Sequence, residues 1–452
     1  MSPKLFGTDG VRGLANGHLT AELALDLSVA AARVLADRGE FEGHRPLAVV
    51  GRDTRISGQF LESAVVAGLA SAGVDVLLLG VLPTPGVAYL TGSLGADLGV
   101  MLSASHNAMP DNGIKFLARG GVKLDDAIEA EIERHLHEDW DRPTGGAVGR
   151  VRTHPTAVEE YAAHLDGTLR QRLTGLRIVL DCAEGAAYDA GPRALREAGA
   201  TVLPIHAEPD GLNINEGCGS THLVAVRSAV LEHGADVGFA VDGDADRCLA
   251  VDHEGTVVDG DQLLAILALL AISMKDAGRL AKDTVVATVM SNLGFVKAMR
   301  AAGIGVRQTK VGDRYVLQAM QVTGYNLGGE QSGHVILTDY ATTGDGVLAA
   351  LQVLERMVTT GQDLKTLASV VQRLPQTLVN VTDVDKSRVE EDGILAAAVA
   401  EEEAALGEDG RILLRSSGTE PIVRVMVEAA TQQDADAIAH RLADVVRLRL
   451  AL

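Results

Sequence analysis

One structural plan occurs three times in this sequence: a short apolar strand, a helix that ends in Ala-Gly, and a second apolar strand. The copies cover residues 47–79, 177–203 and 284–307, with helices predicted over Leu61–Ala72, Pro192–Ala198 and Phe295–Ala302. A glycine directly after the last helical turn adopts the left-handed conformation without steric cost. Hydrophobic residues make up 47% of the chain and aromatic residues only 3%, which favours parallel α/β units over a β-sandwich. The plan is common in α/β chains, so it leaves open whether the copies are true repeats.

Each copy is followed by a strand that ends in a small polar loop. The loops are Ser103-Ala-Ser-His-Asn107, Asp242-Gly-Asp-Ala-Asp-Arg247 and Gly328-Gly-Glu-Gln-Ser-Gly-His334. Ligands of α/β sheets bind beyond the carboxyl ends of the strands. We therefore predict three similar mixed-sheet α/β domains whose loops meet in a central cleft.

The C-terminal part of the chain has a different pattern. Strands are predicted at Val379–Val384 and Arg424–Val427, and an amphipathic helix at Asp434–Leu450. This pattern predicts a smaller α+β domain. The four predicted domains cover residues 1–153, 154–255, 256–373 and 374–452.

Three aspartates, Asp242, Asp244 and Asp246, stand within five residues at the end of an apolar strand. Like charges this close raise each other's pKa unless a cation compensates them. Carboxylate oxygens suit Mg²⁺, although a solvated acidic turn remains an alternative. An EF-hand calcium loop fits less well, because Arg247 and His253 occupy the positions where that loop needs Gly and Glu. Arg247 beside the acids also indicates a site that binds an anion.

Ser105 follows a buried strand, and small neighbours leave its hydroxyl accessible. A hydroxyl in this position becomes a nucleophile when a base or metal activates it. The esterase pattern Gly-x-Ser-x-Gly is absent around it, and a turn capped by Ser and Asn is the alternative. A tight turn after Pro110 brings Lys115 towards the same place, and Arg12 lies in a Gly-rich N-terminal segment.

Two further loops carry polar groups typical of sugar-phosphate binding. Glu330 and Ser332 offer hydrogen bonds to sugar hydroxyls, and His334 offers a proton acceptor near neutral pH. The C-terminal loop combines hydroxyls, a glycine and two guanidinium groups suited to a phosphate, at Arg415, Ser416, Ser417, Gly418, Thr419 and Arg424. A structural histidine and a surface turn are the respective alternatives.

Charge and cysteine usage limit the partners. The net charge of −21 repels nucleic acid and anionic membranes. Cys182, Cys218 and Cys248 show no C-x-x-C spacing, which indicates buried thiols in a reduced, cytoplasmic protein; a metal trio or a catalytic thiol stays open. No signal peptide is evident, and the apolar stretch Leu263–Ile272 has about half the length of a membrane span. It is predicted to form a buried helix.

Taken in order, five motifs resemble those of the α-D-phosphohexomutase superfamily. They are Phe6-Gly-Thr-Asp-Gly-Val-Arg-Gly13, Ser103-Ala-Ser-His-Asn107, Asp242-Gly-Asp-Ala-Asp-Arg247, Gly329-Glu-Gln-Ser-Gly-His334 and Arg415-Ser-Ser-Gly-Thr-Glu-Pro421. The first motif and the Gln of the fourth favour the branch that acts on glucosamine phosphates. Two positions depart from the usual pattern: Glu184 stands where the family has Asn, and Ala108 where it has Pro.

The resemblance implies a reaction and a set of site residues. Glucosamine 6-phosphate and glucosamine 1-phosphate would interconvert through a phosphoserine at Ser105 and glucosamine 1,6-bisphosphate. Mg²⁺ would be held by the three aspartates and by the phosphorylated Ser105. The remaining roles fall into three groups: sugar binding by Glu330 and Ser332, phosphate binding by Arg415, Ser417, Gly418, Thr419 and Arg424, and charge stabilisation or acid–base work by Arg12, Lys115, Arg247 and His334.

Two other functions stay open. A phosphoglucomutase or phosphomannomutase is the alternative within the superfamily, and a non-catalytic sugar-phosphate-binding protein is the alternative from another class. The expected partner is a phosphorylated amino sugar, with no nucleic acid, no membrane and a homodimer as a possible assembly.

Overall fold

The computed structural model describes residues 5–7, 9–41, 43–269, 279–416 and 422–452. The chain divides into two compact units. The first comprises Met1–Met290 and Ile304–Val370, and the second comprises Ser291–Gly303 and Val371–Leu452. Among the described residues, no helix has both the length and the apolar character needed to cross a bilayer.

The first sheet of the first unit has seven strands in the order β1-β5-β4-β2-β3-β7, with β6 paired to β5. The strands are β1 (Val11–Leu14), β2 (Leu47–Arg52), β3 (Asp75–Val81), β4 (Leu98–Leu102), β5 (Asp111–Ala118), β6 (Val122–Lys123) and β7 (Val151–Thr153). Strands β2, β3, β4 and β7 run parallel, whereas β5 is antiparallel to its neighbours. The associated helices are α1 (Ala21–Asp37), α2 (Gly58–Ser71), α3 (Thr84–Ser93) and α4 (Asp126–Arg134).

The second sheet has five strands in the order β12-β11-β10-β8-β9. Its elements are α5 (Ala157–Gly167), β8 (Arg177–Asp181), α6 (Ala187–Glu197), β9 (Thr201–Ile205), α7 (Val224–His233), β10 (Val237–Val241), β11 (Cys248–Asp252) and β12 (Val257–Val258). Strands β9, β8 and β10 are parallel, and β11 returns antiparallel to β10. The segment of residues 242–247, called the Asp loop below, is therefore the connection between β10 and β11.

The third sheet has four strands in the order β14-β13-β15-β16. This part of the chain contains α8 (Gly260–Leu269), β13 (Thr284–Thr288), α9 (Leu293–Ala301), β14 (Gly305–Thr309), α10 (Asp313–Thr323), β15 (Leu327–Gly329), β16 (Val335–Leu337), α11 (Gly346–Thr360) and α12 (Leu364–Ala368). Helix α8 buries the predicted apolar stretch from Leu263 to Ala268, and residues 270–272 of that stretch lie outside the described residues.

The second unit contains an antiparallel sheet in the order β17-β19-β18. Its strands and helices are β17 (Gln376–Thr382), α13 (Gly393–Leu406), β18 (Arg411–Ser416), β19 (Ile422–Glu428) and α14 (Gln432–Leu450). An aliphatic core from β17, β19 and α14 includes Val425 and Leu442. Helix α9 belongs to this unit, where the Leu293 N–H donates to Glu428 Oε2 at 2.8 Å.

The predicted architecture of three mixed α/β sheets followed by a smaller α+β domain is confirmed. In each of the three copies the two strands are parallel neighbours, and the glycine after the helix has a positive φ: 89° at Gly73, 103° at Gly199 and 69° at Gly303. The predicted start of one helix, at Pro192, is wrong, because α6 begins at Ala187 and contains Pro192 in its interior. Ala186 precedes it without a side-chain cap, so the sequence carries no start signal there.

Candidate active site

The Ser105 hydroxyl lies against the Asp loop. Ser105 follows β4, is 1% exposed, and has a φ of 53°, in the left-handed region. Its Oγ donates to Asp242 Oδ2 at 2.5 Å, and its Oγ lies 3.3 Å from His106 Nδ1. The carboxyl ends of β4 and β10 thus bring together two residues from different sheets, as predicted from the position of ligands in α/β folds.

Arg55 holds the loop that contains Ser105 through hydrogen bonds to its backbone. The sequence analysis did not single out this residue. Its guanidinium group is completely buried and uses all five N–H donors. Nε donates to Asp53 Oδ2 at 2.9 Å, while the two terminal nitrogens donate to four backbone carbonyl oxygens, those of Ser105, Asn107, Ala108 and Asp111. A non-Gly residue with positive φ needs surrounding support, and Arg55 supplies it.

Asn215 and Thr84 are two further contacts that the sequence analysis missed. Asn215 Nδ2 donates to the Ser105 carbonyl oxygen at 2.9 Å, so this oxygen accepts from both Asn215 and Arg55. Thr84 Oγ1 donates to Asp244 Oδ2 at 2.6 Å. Asn215 binds a backbone carbonyl oxygen and Thr84 binds one carboxylate oxygen, and neither contact produces a recognisable residue spacing in the sequence. For Arg55, the only sequence signal was its position just after β2.

The three aspartates are buried together and keep oxygens free for a cation. One carboxylate oxygen from each of Asp242, Asp244 and Asp246 lies within 4.8 Å of the other two. Among the described residues, neither Asp244 Oδ1 nor Asp246 Oδ1 has a hydrogen-bond partner, although both atoms are buried. Buried unpaired carboxylate oxygens are costly unless an ion compensates them. The donor set and these two atoms fit Mg²⁺, which prefers oxygen ligands.

The pKa values of the aspartates diverge. Burial raises the pKa of Asp242 well above its usual range, and the charges of Asp246 and Asp244 raise it further. Burial and the Asp244 charge also raise the pKa of Asp246. Burial alone would raise the pKa of Asp244 too, but the Lys115 ammonium and the hydrogen bonds from Lys115 and Thr84 lower it to about 2. A dication would favour the charged form of all three.

Lys115 lies between the acids, as its predicted position requires. Its Nζ is 2.7 Å from Asp244 Oδ2 and 2.8 Å from Asp9 Oδ2. Asp9 also pairs with Arg12, and its other oxygen lies 3.2 Å from Lys123 Nζ. Burial lowers the pKa of Lys115, but the carboxylates of Asp244, Asp9 and Asp246 outweigh it and raise the pKa far above the usual value. Lys115 is therefore a fixed positive charge at neutral pH.

Arg247 and His106 are further polar residues next to the aspartates and Ser105. The Arg247 N–H donates to Asp242 Oδ1 at 3.2 Å, and its Nε lies 3.8 Å from Asp246 Oδ1. The pKa of His106 is lowered to about 4, first by burial and then by the charges of Arg247 and Arg12. At neutral pH the imidazole next to Ser105 is therefore uncharged, and its unprotonated ring nitrogen can accept a hydrogen bond.

The 330–334 loop follows β15 in the same unit. Glu330 is largely buried, and its Oε1 accepts from the Gly312 N–H at 3.0 Å. Ser332 is exposed. His334 is 2% exposed and packs against Gly344, and its two ring nitrogens have no hydrogen-bond partner among the described residues.

The predicted phosphate loop belongs to the second unit and is described only at its two ends. Arg415 on β18 is the direct cross-strand partner of Arg424 on β19, so two guanidinium side chains start from opposite positions of one hairpin. Ser416 ends β18. The predicted ligands Ser417, Gly418 and Thr419 lie outside the described residues.

Four family models match successive parts of the chain. They are the α/β/α domains I, II and III and the C-terminal domain of phosphoglucomutase/phosphomannomutase, at residues 3–142, 159–255, 259–374 and 378–445. A protein of Nocardioides sp. named phosphoglucosamine mutase is 76% identical over 449 residues, covering 99% of this chain and 100% of that protein. A Streptomyces griseus protein of the same name is 65% identical, covering 99% of both chains.

Solved structures share the fold at lower identity. A phosphoglucomutase/phosphomannomutase family protein from Burkholderia thailandensis is 24% identical with a TM-score of 0.83, covering 100% of this chain and 99% of its own. N-acetylphosphoglucosamine mutase from Aspergillus fumigatus, solved with GlcNAc-6P and magnesium, is 19% identical with a TM-score of 0.65, covering 98% of this chain and 95% of its own. With all four domains matched in order, the chain belongs to the phosphoglucomutase/phosphomannomutase family of phosphohexomutases.

Proposed function

We propose that this enzyme interconverts glucosamine 6-phosphate and glucosamine 1-phosphate through a phosphorylated Ser105. The observation that carries the proposal is the 2.5 Å contact between Ser105 Oγ and Asp242 inside a cluster of three buried aspartates. The choice of amino sugar is supported by relatives at 59–76% identity that are named phosphoglucosamine mutase.

A serine carrier solves the geometric problem of the reaction. The two oxygens that exchange the phosphoryl group lie at opposite ends of the sugar, so direct transfer between them is difficult. Phosphorylated Ser105 donates its group to one hydroxyl and gives glucosamine 1,6-bisphosphate; after the sugar reorients, the other phosphate returns to Ser105. Atoms balance over the cycle, because each transfer moves one phosphoryl group and one proton in opposite directions. Phosphoryl transfer requires mainly positioning and charge stabilisation from the protein.

The side chains around Ser105 divide these tasks. Asp242, Asp244 and Asp246 would hold Mg²⁺ together with the Ser105 phosphate, and the bound ion would neutralise charge on the transferring group. Lys115, Arg12 and Arg247 contribute fixed positive charge, since all three have raised pKa values, with their neighbouring carboxylates outweighing burial. His334 is the proposed proton carrier, because both ring nitrogens are buried and available for hydrogen bonding.

Substrate binding is assigned to two further groups of residues. Glu330 and Ser332 would bind sugar hydroxyls. The non-reacting phosphate would be bound by Arg415, Ser417, Gly418, Thr419 and Arg424. The cross-strand pairing of Arg415 with Arg424 supports this assignment, since two adjacent guanidinium groups suit a phosphate dianion.

We also propose a cytoplasmic location, which the three free, buried cysteines support. The homodimer stays a prediction. A phosphoglucomutase or phosphomannomutase is the second candidate, favoured by the names of the matching family models.

The test of substrate choice is a comparison of kcat/KM for glucosamine, glucose and mannose 6-phosphates under identical Mg²⁺. We expect glucosamine 6-phosphate to be preferred by at least about 100-fold, the discrimination available when buried polar groups match a substrate amine. A preference for glucose or mannose phosphate would replace the proposal with the second candidate. No turnover of any of the three would favour a binding protein.

A further inference from the structure

Asp181, His206 and Cys218 form a second cluster of metal-ligating side chains, separate from the three aspartates of the candidate active site. Asp181 is the last residue of β8, and His206 directly follows the parallel neighbour β9. Cys218 comes from the loop after β9 and precedes the 3₁₀ turn Gly219–Thr221. One carboxylate oxygen, one ring nitrogen and the thiol sulfur all lie within 4.8 Å of one another.

The imidazole and the carboxylate of the cluster already face each other. His206 Nδ1 is 3.1 Å from Asp181 Oδ1, without a hydrogen bond of acceptable geometry between them, and the Asp181 carboxylate raises the pKa of His206. The Asp181 carboxylate is fixed by backbone donors, with Oδ1 accepting from Ala183 N at 2.9 Å and Oδ2 from Gly219 N at 3.1 Å. Asp181 and Cys218 are completely buried, whereas the His206 side chain is 31% exposed, so the cluster lies at the edge of the protein interior.

We propose that Asp181, His206 and Cys218 bind one zinc-like divalent cation. Thiolate and imidazole ligands select Zn²⁺ over Mg²⁺, and three protein ligands leave a fourth position for water. Ligands at tetrahedral zinc lie about 3.4–3.8 Å apart, which follows from bonds of about 2.0–2.3 Å. The three donor atoms lie within 4.8 Å of one another, so they would have to approach by up to about 1.4 Å to reach that geometry. The aspartates of the candidate active site offer only oxygen and select the harder cation.

The site would join three segments of the second sheet's carboxyl edge. The loop between His206 and Cys218 carries Asn215, which donates to the Ser105 carbonyl oxygen. A cation bound at both ends of this loop would therefore fix the segment that supports Ser105. The proposal concerns a cation additional to the proposed catalytic Mg²⁺ and does not depend on the substrate of the enzyme.

The experiment is a Co²⁺ titration of the full-length protein, stripped with a chelator and then saturated with Mg²⁺ to occupy the oxygen site. Co²⁺ bound to a thiolate gives an intense near-ultraviolet charge-transfer band, whereas Co²⁺ on carboxylates alone does not. We expect this band to saturate at one equivalent per chain and to be displaced by Zn²⁺. Cys218→Ser should abolish it, and His206→Asn, which tolerates the positive φ of 48° at this position, should weaken Co²⁺ binding at least about tenfold.

Cys182→Ser and Cys248→Ser are the matched controls, because both thiols are buried and free but stand outside the cluster. Both should keep the band. Circular dichroism verifies that each variant is folded, and His206→Asn tests the site independently if Cys218→Ser does not fold. The proposal is overturned if no thiolate band appears in the wild type, if the band survives in Cys218→Ser, or if Co²⁺ binds His206→Asn as tightly as the wild type.

Discussion

The Ser105 hydroxyl donates a 2.5 Å hydrogen bond to Asp242 Oδ2, a residue 137 positions further along the chain and in a different sheet. Two strand ends from separate sheets therefore meet at the proposed reaction centre. Both residues are buried, so the contact is not a surface encounter between mobile side chains. This relationship links the proposed nucleophile to the proposed cation site.

Removing the Arg55 guanidinium should misplace Ser105. Arg55→Met removes one donor from each of four backbone carbonyl oxygens and leaves Asp53 without its ion-pair partner, so we expect a loss of about 3–5 kcal/mol in unfolding free energy. The kcat of the folded fraction should also fall at least about tenfold, because Ser105 loses its support in the left-handed conformation. Urea unfolding and kcat are measured on the same samples.

Arg172→Met is the control for Arg55→Met, since Arg172 forms an exposed ion pair with Asp166 that is worth at most about 1 kcal/mol. It should leave both quantities nearly unchanged. If Arg55→Met were destabilised but its folded fraction kept full kcat, Arg55 would stabilise the fold without positioning Ser105.

Asp244→Asn should impair the use of Mg²⁺. The substitution keeps the side-chain volume and removes one negative charge from the three-aspartate cluster, so the Mg²⁺ concentration for half-maximal activity should rise and kcat should fall at least about 100-fold. Activity is assayed across a Mg²⁺ series after EDTA treatment. Asp189→Asn, at an exposed position of α6, serves as the control and should behave like the wild type. Full activity of Asp244→Asn with EDTA present would count against the metal role.

Asp345 should make stability depend on pH. Burial raises its pKa to about 6, against the opposing effect of hydrogen bonds from the Leu348 N–H and the Tyr161 hydroxyl. The pKa of Asp in the unfolded chain is about 3.9, so between about pH 4 and pH 6 the native state binds a proton that the unfolded state does not. The contribution of Asp345 to stability therefore falls as pH rises through that range. Asp345→Asn should therefore gain stability relative to the wild type as pH rises from about 4.5 to 7, by about 2 kcal/mol.

Asp363 provides the opposite case for the same measurement. It caps α12 as Asp345 caps α11, but its pKa is lowered by hydrogen bonds from the Thr366 hydroxyl and N–H. Its contribution is present above the unfolded pKa and is lost as pH falls, so Asp363→Asn should lose relative stability as pH rises. Urea unfolding at several pH values compares the two variants. A pH-independent difference between Asp345→Asn and the wild type would contradict the buried-carboxylate interpretation.

The sequence predicted the parts of the site that stand at strand ends. Ser105 and the three aspartates follow apolar strands, and parallel strands of an α/β sheet direct such loops to one edge. Arg55 and Asn215 were not predictable in this way, because they donate to backbone carbonyl oxygens. Every residue has such an oxygen, so the sequence contains no partner residue or spacing that would identify the donor. The start of α6 at Ala187 was missed for a related reason: no capping side chain marks it.

The most direct test of the account is the intact mass of the protein before and after incubation with glucosamine 1,6-bisphosphate, together with turnover, for the wild type and Ser105→Ala. We predict that the wild type carries one added phosphoryl group, located on Ser105 by peptide mapping, and that Ser105→Ala carries none and loses turnover. An added phosphoryl group retained in Ser105→Ala, or unchanged turnover in that variant, would contradict the proposed phosphoserine mechanism.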